Sequence, residues 1–187
     1  MAFLAEDLLV FGSGYSLALA SYKAMECGRT GMEFAVGIPG SIGGAVYMNA
    51  GAYDGEMQNI VNCVKVMDLQ GNERVLTAEE LNFGYRKTSL QNSGLIVTEV
   101  TLKMPSGNKD EIKSKMDDFS HRRISKQPLE MPSAGSMFKR PPGYFAGTLI
   151  DQAGLKGYTV GGAQISTKHA GFVVNVGGAT AADVLQL

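Results

Sequence analysis

The sequence predicts a mixed fold of helices and strands, and three observations support this prediction. Residues 95–104 alternate, with Ile96, Val100 and Leu102 on one face, as in a strand that buries one side. Residues 17–27 instead place apolar side chains three or four positions apart, which is typical of one face of a helix. The 24 glycines predict many turns and tight loops between such elements.

The overall composition is that of an ordinary globular protein. Of the 187 residues, 44% are hydrophobic and 19% are charged, and the formal net charge is −1. This balance gives no indication of bulk electrostatic binding to nucleic acid or to a membrane surface. The sequence has no apolar run near the roughly 20 residues of a membrane span, and its start does not resemble a signal peptide. Cys27 and Cys63 fit neither a disulfide framework nor a metal site, which favours a reduced, cytoplasmic setting.

The first half of the chain is expected to carry one longer helix, a hairpin and a strong strand. Ser16 is placed to cap that helix, which runs to about Cys27, with Gly28 just after its end. Residues 1–10 fit a strand, a short helix or a cloning-derived leader equally well. The remaining elements, in chain order, are a short buried strand at Ala45–Ala50, a turn at 51–55, a strand at 61–69, a turn at 70–73, a return strand at 74–76, a short helix from Thr77 to Leu81, a polar loop at 82–89 and the strand at 95–104.

Residues 105–108, Pro-Ser-Gly-Asn, form the predicted domain boundary. A charged amphipathic helix is expected after them, at about 109–124, with Ile112, Met116 and Phe119 as its apolar face. The later elements, in order, are a glycine-containing loop at 133–143, a helix at 144–153 stopped by Gly154, short strands at 163–165 and 172–176, and the start of a helix capped by Thr180 and Asp183.

The chain is organised around the stretch Gly37–Gly51, which holds five glycines and one proline in fifteen residues. Backbone N–H groups in such a stretch can bind an anion without any basic side chain, but a tight corner between packed elements explains the composition equally well. Gly37, Gly40 and Gly43 are each three residues apart, which does not fit the dinucleotide fingerprint. The Gly-Lys-Ser/Thr ending of a P-loop is also missing, so a ligand held here would belong to another fold.

Several side chains outside that stretch could take part in chemistry, although each has an ordinary structural explanation. Arg86 offers a forked donor for a carboxylate or phosphate, yet most loop arginines are only solvated. Ser136 lies beside Gly135 and close to a Lys-Arg pair, and most such serines only make turns. His121 and His169 have no second ligand at metal-binding spacing, so no metal site is expected. The basic residues that could face an anion, or merely form a solvated surface, are Lys139, Arg140, Lys156 and Lys168.

Taken together, four segments are far more specific than any of them alone. They are Gly37–Tyr53 (GIPGSIGGAVYMNAGAY), Tyr85–Ser89 (YRKTS), Gly135–Pro141 (GSMFKRP) and Lys168–Phe172 (KHAGF). In wording, order and spacing they resemble the UDP-N-acetylenolpyruvoylglucosamine reductase (MurB) family of peptidoglycan synthesis, from about Gly12 to Leu187. The Lys-Arg-Pro and Lys-His-Ala-Gly forms look like the shorter subtype of that family, which lacks an extra substrate-clamping loop.

The resemblance implies an α+β fold in two domains. Residues 1–106 would be part of an FAD-binding domain of the vanillyl-alcohol-oxidase (PCMH) type, and residues 107–187 an α+β substrate-binding domain. Backbone groups of the glycine stretch would hold the flavin and its phosphates. The residues assigned to the cofactor in this way are Gly37, Ile38, Pro39, Gly40, Ser41, Gly43, Gly44, Ala45, Asn49, Ala50, Gly51 and Tyr53.

The resemblance also implies roles in catalysis and substrate binding. Arg86 would lie beside the enolpyruvyl carboxylate and the developing enolate, and Ser136 would donate the proton to the adjacent carbon. Residues expected to bind the substrate are Tyr85, Lys139, Arg140 and His169. The implied reaction uses NADPH and FAD to reduce UDP-N-acetylenolpyruvoylglucosamine to UDP-N-acetylmuramate in the bacterial cytoplasm. A monomer without nucleic-acid or membrane partners is expected.

Three departures from the family pattern qualify these expectations. The family's N-terminal FAD lobe precedes the matched region, and its catalytic glutamate lies beyond Leu187. We therefore expect a chain truncated at both ends that binds FAD poorly and turns over little substrate. Asp54 stands where the family usually has glycine, in a turn that tolerates aspartate.

Two other functions remain open at this stage. The chain could belong to another FAD-dependent oxidoreductase of the same superfamily, although the segments around Arg86 and Ser136 argue against it. It could also be a non-catalytic fragment that binds a UDP-sugar, which predicts stabilisation by the ligand without turnover.

Overall fold

Two antiparallel sheets, one in each of two units, form the framework of the chain. A computed structural model describes residues 2–5 and 7–187. The chain divides into units of residues 1–120 and 121–187. Both units combine antiparallel strands with separate helices, which confirms the expected α+β class. The boundary expected at residues 105–108 stays a prediction.

The first unit contains a sheet of five strands in the order β1-β2-β7-β5-β6. Of the opening segment, Met1 and Glu6 lie outside the described residues, and the rest supplies the first two strands. The strands are β1 Ala2–Ala5, β2 Leu8–Gly12, β5 Val61–Met67, β6 Glu73–Thr77 and β7 Ile96–Lys103, and a separate small hairpin pairs β3 Gly51–Ala52 with β4 Gly55–Glu56. One face of the large sheet is fully buried at Leu9, Val64 and Leu102.

The predicted hairpin at 61–76 is confirmed, and its turn is built by Asp68. The Asp68 carboxylate accepts hydrogen bonds from the N–H groups of Gln70 and Asn72, both at 2.9 Å. The side chain of Asn72, followed by these backbone donors, lowers the pKa of Asp68. The helix expected after Thr77 is wrong: residues 78–82 form only a turn. Thr77 and Glu80 exchange side-chain hydrogen bonds as in a helix cap, but the chain then leaves for the loop before β7.

Helix α1, Leu17–Glu26, begins and ends where the sequence predicts. Ser16 is its N-cap, since its side chain accepts a hydrogen bond from the N–H of Leu19. Gly28 follows with φ of 66°, the left-handed conformation that favours glycine after a helix. Leu17, Ala20 and Ala24 are buried against the core of the first unit.

The strand expected at Ala45–Ala50 is wrong, because these residues lie in and after helix α2, Ile42–Tyr47. A short apolar run does not distinguish a buried strand from a buried helical turn. Two local hydrogen bonds favour the helix. The Ser41 hydroxyl accepts from the N–H of Gly44 at 3.2 Å, and the Ser41 carbonyl accepts from the N–H of Ala45 at 2.9 Å. The turn expected at 51–55 is confirmed and joins β3 to β4.

Helix α3, Lys109–Lys126, confirms the predicted amphipathic helix. Ile112, Met116 and Phe119 are buried in a small cluster with Val36. This burial gives the otherwise charged helix its apolar contact, since helices in proteins are stabilised mainly by packing one face.

The second unit contains a sheet of four strands in the order β8-β11-β10-β9. The expected loop at 133–143 is corrected at its start, because residues 133–136 pair with β11. The elements are β8 Ser133–Ser136, helix α4 Ala146–Gln152, β9 Thr159–Val160, β10 Ala163–Ile165, β11 Phe172–Asn175 and helix α5 Ala181–Gln186. The helix expected before Gly154, the two expected strands and the cap formed by Thr180 with Asp183 are confirmed.

Candidate functional site

The glycine-rich segment of residues 37–44 consists of a bend at residues 37–41, largely open to solvent, and the first turn of helix α2. Gly37 and Gly40 have φ of 72° and 132°, conformations that side-chain-bearing residues rarely adopt. Gly37, Pro39 and Gly40 are exposed, and the segment contains no charged side chain. Any ligand that binds here is therefore held by backbone groups and small side chains.

Most N–H groups at the start of helix α2 already have a partner within the protein. The N–H groups of Ile42 and Gly43 donate to the carbonyls of Tyr15 and Ser13, both at 2.9 Å. The N–H of Gly44 donates to the Ser41 hydroxyl. In the part of the chain that the structure describes, the N–H groups of Gly40 and Ser41 have no protein acceptor. A Cβ on Gly40 would meet no atom within 4 Å, so open space adjoins this pair.

Several other residues expected to touch a cofactor make close contacts within the protein. A Cβ on Gly43 would lie 2.7 Å from the Cβ of Ser13, and Ala45 is buried. A Cβ on Gly51 would lie 2.7 Å from both the Glu56 Cβ and the Gly55 carbonyl. The structure gives these residues a packing role, and their contact with a cofactor stays a prediction.

The hairpin from β3 to β4 turns at Tyr53 and Asp54, which have φ of 51° and 62°. A two-residue hairpin turn with both φ values positive is the type that favours glycine, asparagine and aspartate, so Asp54 suits its place. The ring of Tyr53 stacks on Phe119, with centroids 4.4 Å apart and planes 13° apart. Tyr53 thereby packs against helix α3, and its expected contact with the flavin stays a prediction.

Asn49 is a hydrogen-bonding centre behind the glycine segment. It is fully buried, with φ of 42°. Its amide nitrogen donates to the Glu56 carboxylate and to the Gly84 carbonyl, each at 3.0 Å, and its amide oxygen accepts from the N–H of Gln58 at 3.0 Å. Both amide hydrogens therefore have partners within the protein. Sequence reasoning assigned Asn49 to the cofactor and did not foresee this role.

Arg86 lies in a tight turn whose ends, Gly84 and Lys87, exchange both backbone hydrogen bonds. Its own φ is 54°, an unusual conformation for arginine. The two terminal nitrogens of its guanidinium donate to the carbonyls of Asn49, at 3.1 Å, and Gly51, at 2.7 Å. Arg86 thus contacts the backbone just after the glycine segment.

Tyr85 precedes Arg86 in this turn, and its ring is 52% exposed. The guanidinium carbon of Arg86 lies 5.1 Å from the centre of the Tyr85 ring. A cation over an aromatic face at this distance is attracted by the ring, which holds the two side chains together.

Two polar residues that follow Arg86 in the chain, Thr88 and Gln91, also contact helix α2, and sequence reasoning missed both. The hydroxyl of the buried Thr88 donates to the Tyr47 carbonyl at 2.8 Å, and the side-chain amide of Gln91 donates to the carbonyls of Tyr47 and Arg86. The only sequence signal was that polar side chains cluster in a loop with few charges. The loop at 82–89 is thereby held to the C-terminal end of α2.

In the second unit, Ser136 and His169 both lie close to Gly171. A Cβ on Gly171 would lie 3.0 Å from the His169 Cε1 and 3.5 Å from the Ser136 Oγ. The Nδ1 of His169 accepts from the N–H of Gly171 at 3.1 Å, which leaves Nε2 to carry the proton of the neutral ring. The N–H of Met137 donates to the Gly171 carbonyl. Ser136 is exposed and lies at the end of a strand that pairs with β11.

The expected basic residues of the second unit lie in different settings. Lys139 and Arg140 are exposed. The Arg140 guanidinium lies 3.7 Å from the centre of the Phe145 ring, and its Nε donates to the Tyr144 carbonyl. Lys168, considered as part of a basic surface, instead donates to the Ile124 carbonyl at 2.9 Å and lies 3.5 Å from Glu130.

The expected site residues are thus distributed over both units. Those of the first unit are the glycine segment, Tyr85 and Arg86, and those of the second are Ser136, Lys139, Arg140 and His169. Within residues 2–5 and 7–187, no cluster of three or more potential metal ligands is found. Over the same residues, none of the helices is long and apolar enough to cross a bilayer.

Comparison with known proteins gives consistent results at three levels. A family model described as the C-terminal domain of UDP-N-acetylenolpyruvoylglucosamine reductase matches residues 127–187. The reductase of that name from Clostridium perfringens is 56% identical over 175 residues, and that from Pediococcus pentosaceus is 52% identical over 179. These alignments cover 94% and 96% of this chain but 58% and 60% of the relatives, so the chain spans about three-fifths of their length.

A solved structure extends the similarity to three dimensions. The crystal structure of the UDP-N-acetylenolpyruvylglucosamine reductase (MurB) from Thermus caldophilus superposes with a TM-score of 0.88 at 43% sequence identity. The match covers 98% of this chain and 67% of that one. Likeness of this extent includes both units.

Proposed function

This chain belongs to the UDP-N-acetylenolpyruvoylglucosamine reductase family, and from that premise we propose that it serves the flavin-dependent reduction of UDP-N-acetylenolpyruvoylglucosamine to UDP-N-acetylmuramate. NADPH is the proposed source of hydride and FAD the proposed cofactor. The observation that carries the proposal is the uncharged bend at residues 37–41, whose Gly40 and Ser41 N–H groups have no acceptor in the described part of the chain.

The bend suits the diphosphate of FAD. Two neighbouring N–H groups beside open space can donate to phosphate oxygens, as in other backbone anion sites. A side chain at Gly40 would fill part of that space, which accounts for glycine there independently of its φ of 132°. Gly37, Ile38, Pro39 and Gly44 would line the same bend. Bound there, FAD would supply the hydride-transfer chemistry that amino-acid side chains lack.

Arg86 is the proposed cation for the substrate carboxylate. Its guanidinium has five N–H donors, and its contacts with the Asn49 and Gly51 carbonyls use only part of them. Those contacts orient the planar group, so it is held in place before a ligand arrives. Positive charge held in this way stabilises the negative charge that develops on a carboxylate as it becomes an enolate.

Ser136 is the proposed proton donor to the carbon beside that carboxylate. Its hydroxyl is exposed on a strand whose backbone is paired with β11. The side of the strand near Gly171 also carries the His169 ring, which we propose contacts the substrate. Tyr85, Lys139 and Arg140 complete the proposed substrate-binding set, with the two basic residues directed at the anionic groups of the UDP-sugar.

The same proposal includes the finer assignments of fold and setting. Residues 1–106 would be part of an FAD-binding domain of the vanillyl-alcohol-oxidase (PCMH) type, and residues 107–187 would belong to the substrate-binding domain. A monomer in the bacterial cytoplasm is proposed, where free thiols such as Cys27 and Cys63 stay reduced.

The test is formation of UDP-N-acetylmuramate from the enolpyruvyl substrate, followed by mass spectrometry with FAD and NADPH present. Ser136→Ala should lower the rate by about a hundredfold or more, because a positioned proton donor is lost. Ser133→Ala is the matched control, since it removes another exposed hydroxyl from the same strand and should leave the rate unchanged. Equal rates for the two variants would contradict the role of Ser136.

The same samples separate catalysis from simple binding. Stabilisation by UDP-N-acetylglucosamine in a thermal melt, with no product at any FAD concentration, would favour the non-catalytic UDP-sugar-binding alternative. Product formation from a different substrate class would favour another oxidoreductase of the superfamily.

A further inference from the structure

The turn that carries Tyr85 and Arg86 is held to the glycine-rich region by a reciprocal set of hydrogen bonds. We call residues 84–87 the Arg86 turn. The Asn49 side chain donates to the Gly84 carbonyl at the base of this turn, at 3.0 Å. In return, Arg86 donates to the backbone carbonyls of Asn49 and Gly51. Each partner therefore holds the backbone of the other.

The contacts of Asn49 suit it to hold the Arg86 turn in place rather than to bind a ligand. Its side chain is fully buried, and both of its amide hydrogens have partners, so it has no donor left for a ligand. The amide oxygen accepts from the N–H of Gln58, which sets the rotation of the side chain. The Asn49 carbonyl lies 3.1 Å from Arg86, and asparagine tolerates its φ of 42° better than most residues.

We propose that Asn49 is a positioning residue for Arg86: it holds the Arg86 turn and one of the two carbonyls on which the guanidinium rests. This inference rests on the proposed function in one respect, namely that the anionic group that Arg86 meets is the substrate carboxylate. The positioning itself is a property of the chain alone and is measurable without substrate.

The direct measurement is the nuclear magnetic resonance spectrum of the Arg86 guanidinium nitrogens, assigned with Arg86→Lys. Two terminal nitrogens, each hydrogen-bonded to a carbonyl, should give separate signals because rotation of the group is slowed. Asn49→Asp keeps the shape and the oxygen that faces Gln58 but removes the donor to Gly84. Separate Arg86 signals should be lost in this variant.

Two further variants keep the test decisive. Asn49→Gly removes the side chain while accommodating the φ of 42°, and it serves if a buried carboxylate beside Glu56 prevents folding of Asn49→Asp. Thr88→Val removes a buried side-chain bond from the same loop to Tyr47 without touching the acceptors of Arg86. It should lower the melting temperature and keep the separate signals. Separate signals in both Asn49 variants, or their loss in Thr88→Val, would overturn the inference.

A binding measurement connects this to the proposed function. UDP-N-acetylmuramate carries the carboxylate on a lactyl ether that UDP-N-acetylglucosamine lacks. The dissociation constant of UDP-N-acetylglucosamine divided by that of UDP-N-acetylmuramate therefore reports the contribution of the lactyl group with its carboxylate. Asn49→Asp should reduce this ratio about tenfold and leave binding of UDP-N-acetylglucosamine unchanged. If the unaltered chain binds neither sugar, the proposed function fails, whereas the resonance measurement still decides the role of Asn49.

Discussion

At the scale of single residues, unusual backbone conformations concentrate around the candidate site. Asn49, Tyr53, Asp54 and Arg86 all have positive φ: Asn49 and Arg86 are joined by a hydrogen bond, and Tyr53 and Asp54 form the turn from β3 to β4. Such conformations cost roughly 1–3 kcal/mol each and persist where surrounding contacts determine them. For Asn49 and Arg86 these contacts are side-chain hydrogen bonds to backbone carbonyls, and for Tyr53 and Asp54 they are the strand pairing on either side of the turn.

Gly43 and Gly44 give a prediction with opposite outcomes in one helix. Alanine normally stabilises a helix over glycine by about 1 kcal/mol. Gly43→Ala should instead destabilise the chain by about 1–3 kcal/mol, because its Cβ would lie 2.7 Å from the Ser13 Cβ. Gly44→Ala is the matched control, since it is exposed and its Cβ would meet only the Ser41 hydroxyl, at 3.3 Å. Urea unfolding of both variants measures the difference, and equal midpoints would contradict the packing role of Gly43.

Sequence reasoning singled out some of these residues and missed the contacts of others for a physical reason. Asp54 was expected to lie in a turn that tolerates aspartate, and it lies in the turn from β3 to β4 with φ of 62°. Arg86 was singled out by its chemistry, but its contact with residues 49 and 51 depends on a pairing 35 or more positions away in sequence. Periodicity and spacing report only local order, so the central role of Asn49 was not predictable.

At the scale of elements, helices were predicted correctly where the sequence contains both a terminal or charged signal and an apolar face. Helix α1 combined an apolar stripe with Ser16 and Gly28 at its ends, and helix α3 combined Ile112, Met116 and Phe119 with a charged remainder. The run Ala45–Ala50 had no such stripe, and its true state depends on the Ser41 cap and on burial. Thr77 had a cap signal without an apolar face, and only a turn formed.

The face of helix α3 gives a test of packing. Met116 is 1% exposed in the cluster with Val36, so Met116→Ala should destabilise the chain by about 2–5 kcal/mol. Ile124→Ala, in the same helix but 59% exposed, should change stability by less than about 0.5 kcal/mol. Thermal or urea unfolding compares them. A similar loss in both would mean that the assigned buried face is incorrect.

Asp183 gives a prediction about pH. It accepts from the N–H groups of Thr180, at 2.8 Å, and Gly162, at 3.3 Å, and these bonds lower the pKa of its carboxyl. A depressed pKa means that the stabilisation is present above the ordinary value of about 4 and is lost as the pH falls through the folded-state pKa. Asp183→Asn should therefore melt at a lower temperature than the unaltered chain at pH 7.

The pH profile provides the control for this prediction. The gap in melting temperature between Asp183→Asn and the unaltered chain should close between pH 5 and pH 2. A gap that is the same at every pH would assign the effect of the substitution to something other than the charge of Asp183. Titration of the Asp183 carboxyl by nuclear magnetic resonance measures the depressed pKa directly.

At the scale of the whole molecule, the order of four short segments was more informative than any element. The family inferred from them is confirmed by similarity that covers nearly the entire chain. The composition alone indicated only a globular protein, and the backbone of residues 37–44 could equally have been a corner. The structure refines this choice, because among the N–H groups from Gly40 to Gly44, all in the described part of the chain, it leaves those of Gly40 and Ser41 as candidate anion contacts.

Binding of FAD to the glycine-rich segment at residues 37–44 is the central claim, and Gly44→Asp tests it most directly. An aspartate three positions after the Ser41 cap can accept from the Ser41 N–H, as Asp183 does from Thr180 at 2.8 Å in helix α5. The aspartate would accept from the Ser41 N–H and place a negative charge beside the Gly40 N–H, so neither group would be free to bind phosphate. An acidic residue at the start of a helix also stabilises the helix.

The measurement is a calorimetric titration of FAD into the unaltered chain, Gly44→Ala and Gly44→Asp. We predict weak but saturable binding to the first two, affinity at least about tenfold lower for Gly44→Asp, and a melting temperature for Gly44→Asp no lower than that of Gly44→Ala. Equal affinity for all three proteins, or no saturable binding to the unaltered chain, would contradict the claim.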